Sequence, residues 1–322
     1  MNWIINLKEA EIAFLVPQKE PEEGKKWSYS YVYYIEDLRN IYRLYDIYSI
    51  VSISDLFVRC QRMGLRSWSG KEWTQRGLLE ATNALKNFKL LSVADNHVIK
   101  PGLFASTRPD EPLSSEEITI FKSIYFSYFR FSEFHSLFKL SGESLNSDGL
   151  DEQLEGVVFY FMHSGRFTNS FIVRSQSVLK VYEIADEHAD MMRFWDVYLK
   201  WGTALGLLKK YPLKPFGVST IPASKGLSIA FFSKELPKEF SVFEYALKYL
   251  DGSYLYIPDV IFSIIMNRHY SVEDIKERIK NECISHAELF RAQSTSAIFI
   301  NEKEAFLFPQ IGNVYITHLL KL

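Results

Sequence analysis

Between Ser54 and Lys89 the chain carries seven cations, Arg59, Arg62, Arg66, Lys71, Arg76, Lys86 and Lys89, against three carboxylates, Asp55, Glu72 and Glu80. That stretch is net +4 in a protein of 322 residues whose total is -2, so acidic charge is concentrated elsewhere. Guanidinium and ammonium groups neutralise phosphates, and Arg and Asn pair bidentately with the edges of guanine and adenine. Within SGKEWTQRGLLEATNALKNFKLLS, Leu78, Ala81, Leu85 and Phe88 recur at helical spacing and predict a buried face. Arg76, Glu80, Asn83 and Asn87 fall on the opposite face. The candidate DNA-contacting set is therefore Arg59, Arg62, Arg66, Lys71, Arg76, Asn83, Lys86 and Asn87. Arg62, Arg66 and Lys71 are expected to hold phosphates, and Arg76, Asn83 and Asn87 to discriminate bases. Trp68 and Trp73 flank the loop cations, either stacking or packing beside a groove.

Other chemistry is sparse. There is no Gly-rich phosphate loop of the GxxxxGK[ST] kind, no dinucleotide fingerprint and no HExxH. Seven histidines, at 97, 135, 163, 188, 269, 286 and 318, form no compact metal signature. Glu183, Asp186, Glu187, His188 and Asp190 have ligand chemistry for a divalent ion but read as a solvated acidic turn. Glu302, Lys303 and Glu304 have nuclease-like types, yet fall at an expected hairpin tip without an upstream Asp. No enzyme, cofactor or metal is expected.

A pI near 6.4 gives no bulk attraction to nucleic acid, so binding requires a local basic patch. Cys60 and Cys283 are distant and lack metal spacing, which fits a reducing compartment with both thiols buried. The opening MNWIINLKEAEIAFLVP lacks the pattern of a secretory signal. No window of about 18 residues is uncharged and apolar, so neither a membrane span nor membrane association is expected, and the location is expected to be cytoplasmic. The aromatic share, 16%, is high, and such rings usually fill cores.

These residues must be positioned by the elements around them. A length of 322 predicts two or three domains. Residues 1–34 read as an N-terminal extension containing a strand or short helix and a solvated loop. Helices are expected over Ile35–Ile50 and ISDLFVRCQRMG, the second capped by Ser52 or Ser54 and ended by Gly64. The helix from about Thr74 follows, then KLLSVADNHVIK as two short strands around an Asp-Asn turn. Two helices, a turn, a third helix and a hairpin are the order of a winged helix, predicted over residues 35–105.

PGLFASTRPDEPLSS reads as a linker. The middle region, 106–235, is predicted to be helical from Glu116 to about Leu140. Further helices are expected in LEGVVFYFMHSG, SVLKVYEIADEH and ADMMRFWDVYLKWGTALGLLKKYP, with LSIAFFS a strand. It is either a second winged helix or a helical module. Residues 236–322 repeat the first theme. SVFEYALKYL is helix one, and YIPDVIFSIIMNRH holds a strand and helix two. SVEDIKERIKNE, capped by Ser271, is helix three, and SAIFINEKEAFLFPQIGNVYI forms a hairpin. The fold class expected is mainly α with small β-hairpins: tandem winged-helix-turn-helix domains around a helical middle.

That order resembles prokaryotic proteins built from tandem winged helices. YLYIPDVIFSIIM followed by YSVEDIKERI is similar to modules found in bacterial defence and mobile-element operons. The likeness covers the two outer domains, about half the chain, and implies a DNA-binding component of a phage-defence system. Winged helices also dock proteins, so fold alone leaves both uses open. Ser271–Glu282 carries three cations against four carboxylates, net -1, which favours a protein partner or self-association for the third domain. The expected partners are thus double-stranded DNA through residues 35–105 and protein through 236–322. The alternative is an adaptor subunit without DNA contact.

Overall fold

The computed structural model describes residues 3–6, 10–18, 32–105, 107–139, 154, 156–161, 170–175, 178–221, 226–294 and 304–322. Its helices are α1 (Ile35–Ile47), α2 (Ile53–Arg62), α3 (Gln75–Asn87), α4 (Ser115–Ser127), α5 (Phe129–Phe138), α6 (Ala189–Ala204), α7 (Val242–Tyr249), α8 (Ile257–Arg268) and α9 (Val272–Ser285). Its strands are β1 (Ile4–Asn6), β2 (Glu11–Phe14), β3 (Val157–Phe161), β4 (Ser170–Ser175), β5 (Val178–Glu183), β6 (Leu208–Pro212), β7 (Ser219–Ile221), β8 (Leu227–Phe232), β9 (Tyr254–Tyr256), β10 (Phe290–Gln293), β11 (Gln310–Ile311), β12 (Val314–Tyr315) and β13 (His318–Lys321). The protein is therefore mixed, with helices and mostly antiparallel pairing in its sheets, β1 and β7 being a parallel pair. Two compact units form, and their limits are not those expected at 105 and 235.

The first unit joins Phe14–Leu137 to Glu183–Leu207. Three of its helices, α2, α3 and α4, begin where a side chain satisfies a free N–H group of the first turn. Ser52 accepts from Asp55, Thr74 from Gly77, and Ser114 forms a capping box with Glu117. Gly64 follows α2 at φ 62°, a conformation that costs glycine little. Leu38, Ile41, Leu56, Leu78, Ala81 and Leu85 are fully buried where α1, α2 and α3 meet. An L85A variant is expected to lose about 2–5 kcal/mol in a thermal melt, and a melt superimposable on that of the parent would contradict this core placement. Phe88 is only half-buried. Its ring nevertheless packs edge-on to Tyr128 at 4.8 Å and against Trp201 at 5.4 Å. Phe104, Phe121, Tyr125, Phe131, Phe134 and Tyr198 continue the same cluster, which is where much of the aromatic content goes.

Three expectations are corrected in this unit. The hairpin over 89–100 is reduced to one bridged pair, Leu91 with Val98. Ser92 N–H donates to the His97 carbonyl at 2.8 Å, and Asn96, in the Asp-Asn turn, sits at φ 59°. The helix expected over 116–140 breaks at Tyr128, whose ψ of 122° is extended. The presumed linker is bound to α1: Arg39 donates to the carbonyls of Pro109, Glu111 and Pro112, and Phe104 stacks on Phe121. A Pro- and Ser-rich composition also suits an ordered strap, three of whose carbonyls accept from one guanidinium.

The second unit gathers Met1–Ala13, Phe138–Tyr182 and Leu208–Leu322. A six-stranded sheet runs in the order β2-β5-β4-β3-β8-β6. Two segments expected to be helical are strands instead. Val157, Val158, Phe159 and Tyr160 in β3 are buried on both faces, and such a continuous apolar run lacks the alternation that separates strand from helix. VLKVYE forms β5, and LKKYP forms β6 after the helical part of the third segment, α6. LSIAFF is the strand β8, as expected.

The C-terminal part runs α7, β9, α8, α9, β10, β13, with β13 between β10 and β9. Ser271 caps α9 by accepting from Asp274 at 3.1 Å, and Val272, Ile275 and Ile279 are buried. The expected hairpin over 296–316 contains β11 and β12, while β10 and β13 flank it; residues 295–303, including Glu302 and Lys303, lie outside the described residues. The loop expected over 141–153 and His163 lie outside them too. Cys60 is buried, whereas Cys283 is half-buried, and both are free thiols. No described helix is long and apolar enough to cross a membrane.

Candidate nucleic-acid interface

The cations of the 54–89 stretch do not all face the same task. Arg59 lies over the Tyr48 ring at 4.4 Å and pairs with Asp55 at 3.9 Å, one helical turn back. Arg66 bridges to Glu72 at 3.4 Å and donates to the Gly70 carbonyl at 3.2 Å, closing the turn that joins α2 to α3. Backbone bonds across that turn run from Ser67 N–H to the Lys71 carbonyl at 2.9 Å, with Gly70 at φ 80°. Arg76 attracts the half-buried Glu80, whose carboxyl burial pushes up and Arg76 pulls down. Asp55 and Glu72 are thus each paired with an arginine within the fold.

Arg62 and Lys71 are exposed and make no ion pair among the described residues. Arg62 ends α2, and Lys71 sits three residues before the Thr74 cap of α3. Arg76 is exposed in the first turn of α3, which contains no acidic residue. The first turns of α1, α2, α4 and α9 all carry carboxylates. The amino end of α3 therefore combines its own partial positive charge with an arginine and a nearby lysine. Further along α3, Asn83, Lys86 and Asn87 are half-buried, and Lys86 reaches the Val93 carbonyl at 3.5 Å.

The two loop tryptophans differ. Trp68 is 36% exposed, while Trp73 is half-buried with its six-membered ring edge close to Gly77. A Cβ at Gly77 would lie 3.5 Å from that edge, so Trp73 packs on the helix. Trp68 is tied through its backbone: its N–H donates to the Asp37 carboxylate at 2.7 Å. Asp37 is buried, and burial pushes its carboxyl up to about 6, partly opposed by this bond. Sequence reading missed Asp37 because it lies 31 residues away with no local signal. Two clefts flank the 64–73 loop, of about 490 and about 300 Å³.

Elsewhere the candidates separate. Glu187 pairs with His188 at 3.8 Å and Asp190 with Arg193 at 3.5 Å, all on the surface, so these carboxylates are matched to neighbours. No group of three or more metal-ligating side chains converges among the described residues. Not all of the carboxylates of α9 face solvent. Glu282 is buried and accepts from Val242 N–H at 3.0 Å and Phe243 N–H at 2.8 Å, capping α7 from inside the unit. Without it, the three cations of Ser271–Glu282 balance the three remaining carboxylates. Glu273 is further matched to Lys209 and the Tyr211 hydroxyl, and Arg278 to the carbonyls of Lys238 and Phe240.

No protein-family model matches the chain, and no curated protein or solved structure is similar to it.

Proposed function

We propose that the protein binds double-stranded DNA without acting on it chemically, using residues 35–105 as a basic winged-helix domain with α3 as its reading helix. The observation that carries this is the first turn of α3, free of carboxylates and with Arg76 exposed on it, preceded by Arg62 at the end of α2 and Lys71 ahead of the Thr74 cap, neither of which makes an ion pair among the described residues. A helix end of this kind suits a phosphate, and in helix-turn-helix readers the same end enters the major groove. Arg62 and Lys71 set backbone affinity, and Arg76 and Asn83 face the bases. Arg59 and Arg66, already matched within the fold, hold the turn in shape. The single bridged pair at Leu91 and Val98 stands where a wing belongs. The helix–strand–helix–helix–strand–strand order of the C-terminal part supports a second winged helix there. Protein docking through the C-terminal part drew on a negative α9, and with Glu282 buried that charge argument is weaker.

Fluorescence anisotropy with a labelled duplex across a salt titration tests the proposal. A Lys71→Ala/Arg76→Ala variant is expected to bind more weakly at every salt concentration. Its log–log salt slope should be shallower by about one unit per phosphate contact removed. Superimposable titrations for the two proteins, or no binding by the parent at roughly 50 mM salt, would overturn it.

A further inference from the structure

The larger cleft beside the 64–73 loop has features that DNA binding does not use. Its volume, about 490 Å³, lies in the range that takes small molecules. The chain after α2 lines it with Met63, Leu65, Arg66 and Trp68, and the strap lines it with Pro109 and Asp110. Both segments are pinned before any ligand arrives. Asp37 holds the Trp68 backbone at 2.7 Å, and the Arg66–Glu72 bridge closes the turn. Arg39 and the Asn40 amide both donate to the Pro109 carbonyl, at 3.1 and 3.0 Å. Preorganisation of this kind lowers the cost of binding.

The lining carries one charge of each sign, Arg66 and Asp110. Arg66 spends only part of its five-donor guanidinium on Glu72 and Gly70. Asp110 is exposed and makes no ion pair among the described residues. An anion alone would meet Asp110, and a cation alone would meet Arg66 and the surplus positive charge of the loop. An uncharged apolar molecule would shield both groups from water without pairing either, which is unfavourable. A zwitterion satisfies both at once, and Trp68, Met63, Leu65 and Pro109 offer surface for an apolar body.

We propose that this cleft binds a small zwitterion with an apolar body, of the chemical class of a free apolar or aromatic α-amino acid. Arg66 takes its carboxylate, Asp110 its ammonium group and Trp68 its side chain. The site stands independently of the DNA proposal, since its ligand is measured without DNA.

Isothermal titration calorimetry on the full chain tests this with four probes: L-phenylalanine, L-leucine, phenethylammonium, which lacks the carboxylate, and N-acetyl-L-phenylalanine, which lacks the ammonium. Saturable one-to-one binding of at least one amino acid is expected, with each truncated probe weaker by about tenfold or more. Asp110→Asn removes an exposed group with no ion pair among the described residues, so the variant should melt as the parent does. It should bind the tighter amino acid about tenfold more weakly and N-acetyl-L-phenylalanine no more weakly than the parent does. The proposal is overturned if neither amino acid saturates the protein by about 10 mM. It is equally overturned if phenethylammonium binds as tightly as the zwitterions, or if the Asp110→Asn variant binds them as the parent does.

Discussion

Replacing Arg39 by alanine is expected to cost about 3–5 kcal/mol, a large share of the stability of any domain. Arg39 is fully buried in α1 and pairs with Glu117 at 3.4 Å, which is buried as well. Its guanidinium also donates to the carbonyls of Pro109, Glu111 and Pro112, at 3.1, 2.8 and 3.3 Å. Truncation leaves an uncompensated carboxylate in the interior and the Glu111 and Pro112 carbonyls without this donor, while Pro109 keeps the Asn40 amide. Glu117 keeps the Ser114 backbone and the Thr107 hydroxyl as partners, which limits the loss. Urea unfolding of the Arg39→Ala protein reads the effect directly. An Arg39→Met/Glu117→Gln double variant removes both charges and is expected to recover part of it, because the cost comes from a stranded charge more than from lost volume. A midpoint for Arg39→Ala equal to that of the parent would show that the pair contributes nothing net.

The same buried pair shows what was legible in the sequence and what was not. Helix starts were visible because Ser52, Thr74 and Ser271 act on N–H groups two or three residues away, so cap and helix share one short stretch. Leu78, Ala81 and Leu85 were visible because their periodicity is local. The β3 segment was misread for a physical reason. A strand buried on both faces has no polar side to display, and VVFYF reads equally as buried helix. The sheet order β2-β5-β4-β3-β8-β6 draws on segments separated by scores of residues, and nothing local announces that.

Charge was legible only as a sum. The cations of residues 54–89 could be counted, and the Asp55–Arg59 pairing follows from spacing. The Arg66–Glu72 bridge depends on how the turn closes, and Glu282 had to be located inside its unit before α9 could be seen as balanced. Asp37, Pro109 and Asp110 entered the site through tertiary contacts alone. In this protein, counting charges located the basic loop, and pairing them decided which cations remain available to a ligand.

Replacing Asp37 by asparagine is expected to stabilise the protein at neutral pH and to remove a specific part of its pH dependence. Asp37 is 5% exposed, and burial pushes its carboxyl from 3.8 up to about 6. The Trp68 N–H opposes that rise and the charge of Glu36 adds to it. A carboxyl whose folded value is raised contributes stability that is fully present below about 4 and is lost as pH rises through about 6. Two units correspond to roughly 3 kcal/mol, the cost of keeping Asp37 ionised inside the fold at pH 7.5. Asparagine keeps an oxygen to accept the Trp68 N–H and has no proton to lose. Urea titrations at several pH values between about 4 and 7.5 should therefore show the parent losing about 3 kcal/mol more than Asp37→Asn across that range. Other titrating groups cancel in the difference between the two proteins. Asp37→Ala separates the hydrogen bond from the charge: it lacks the acceptor, leaves the Trp68 N–H unpaired, and should be less stable than Asp37→Asn at every pH by about 1–3 kcal/mol. Parallel pH profiles for the parent and Asp37→Asn would show that Asp37 titrates at an ordinary value and that water reaches it beneath the loop.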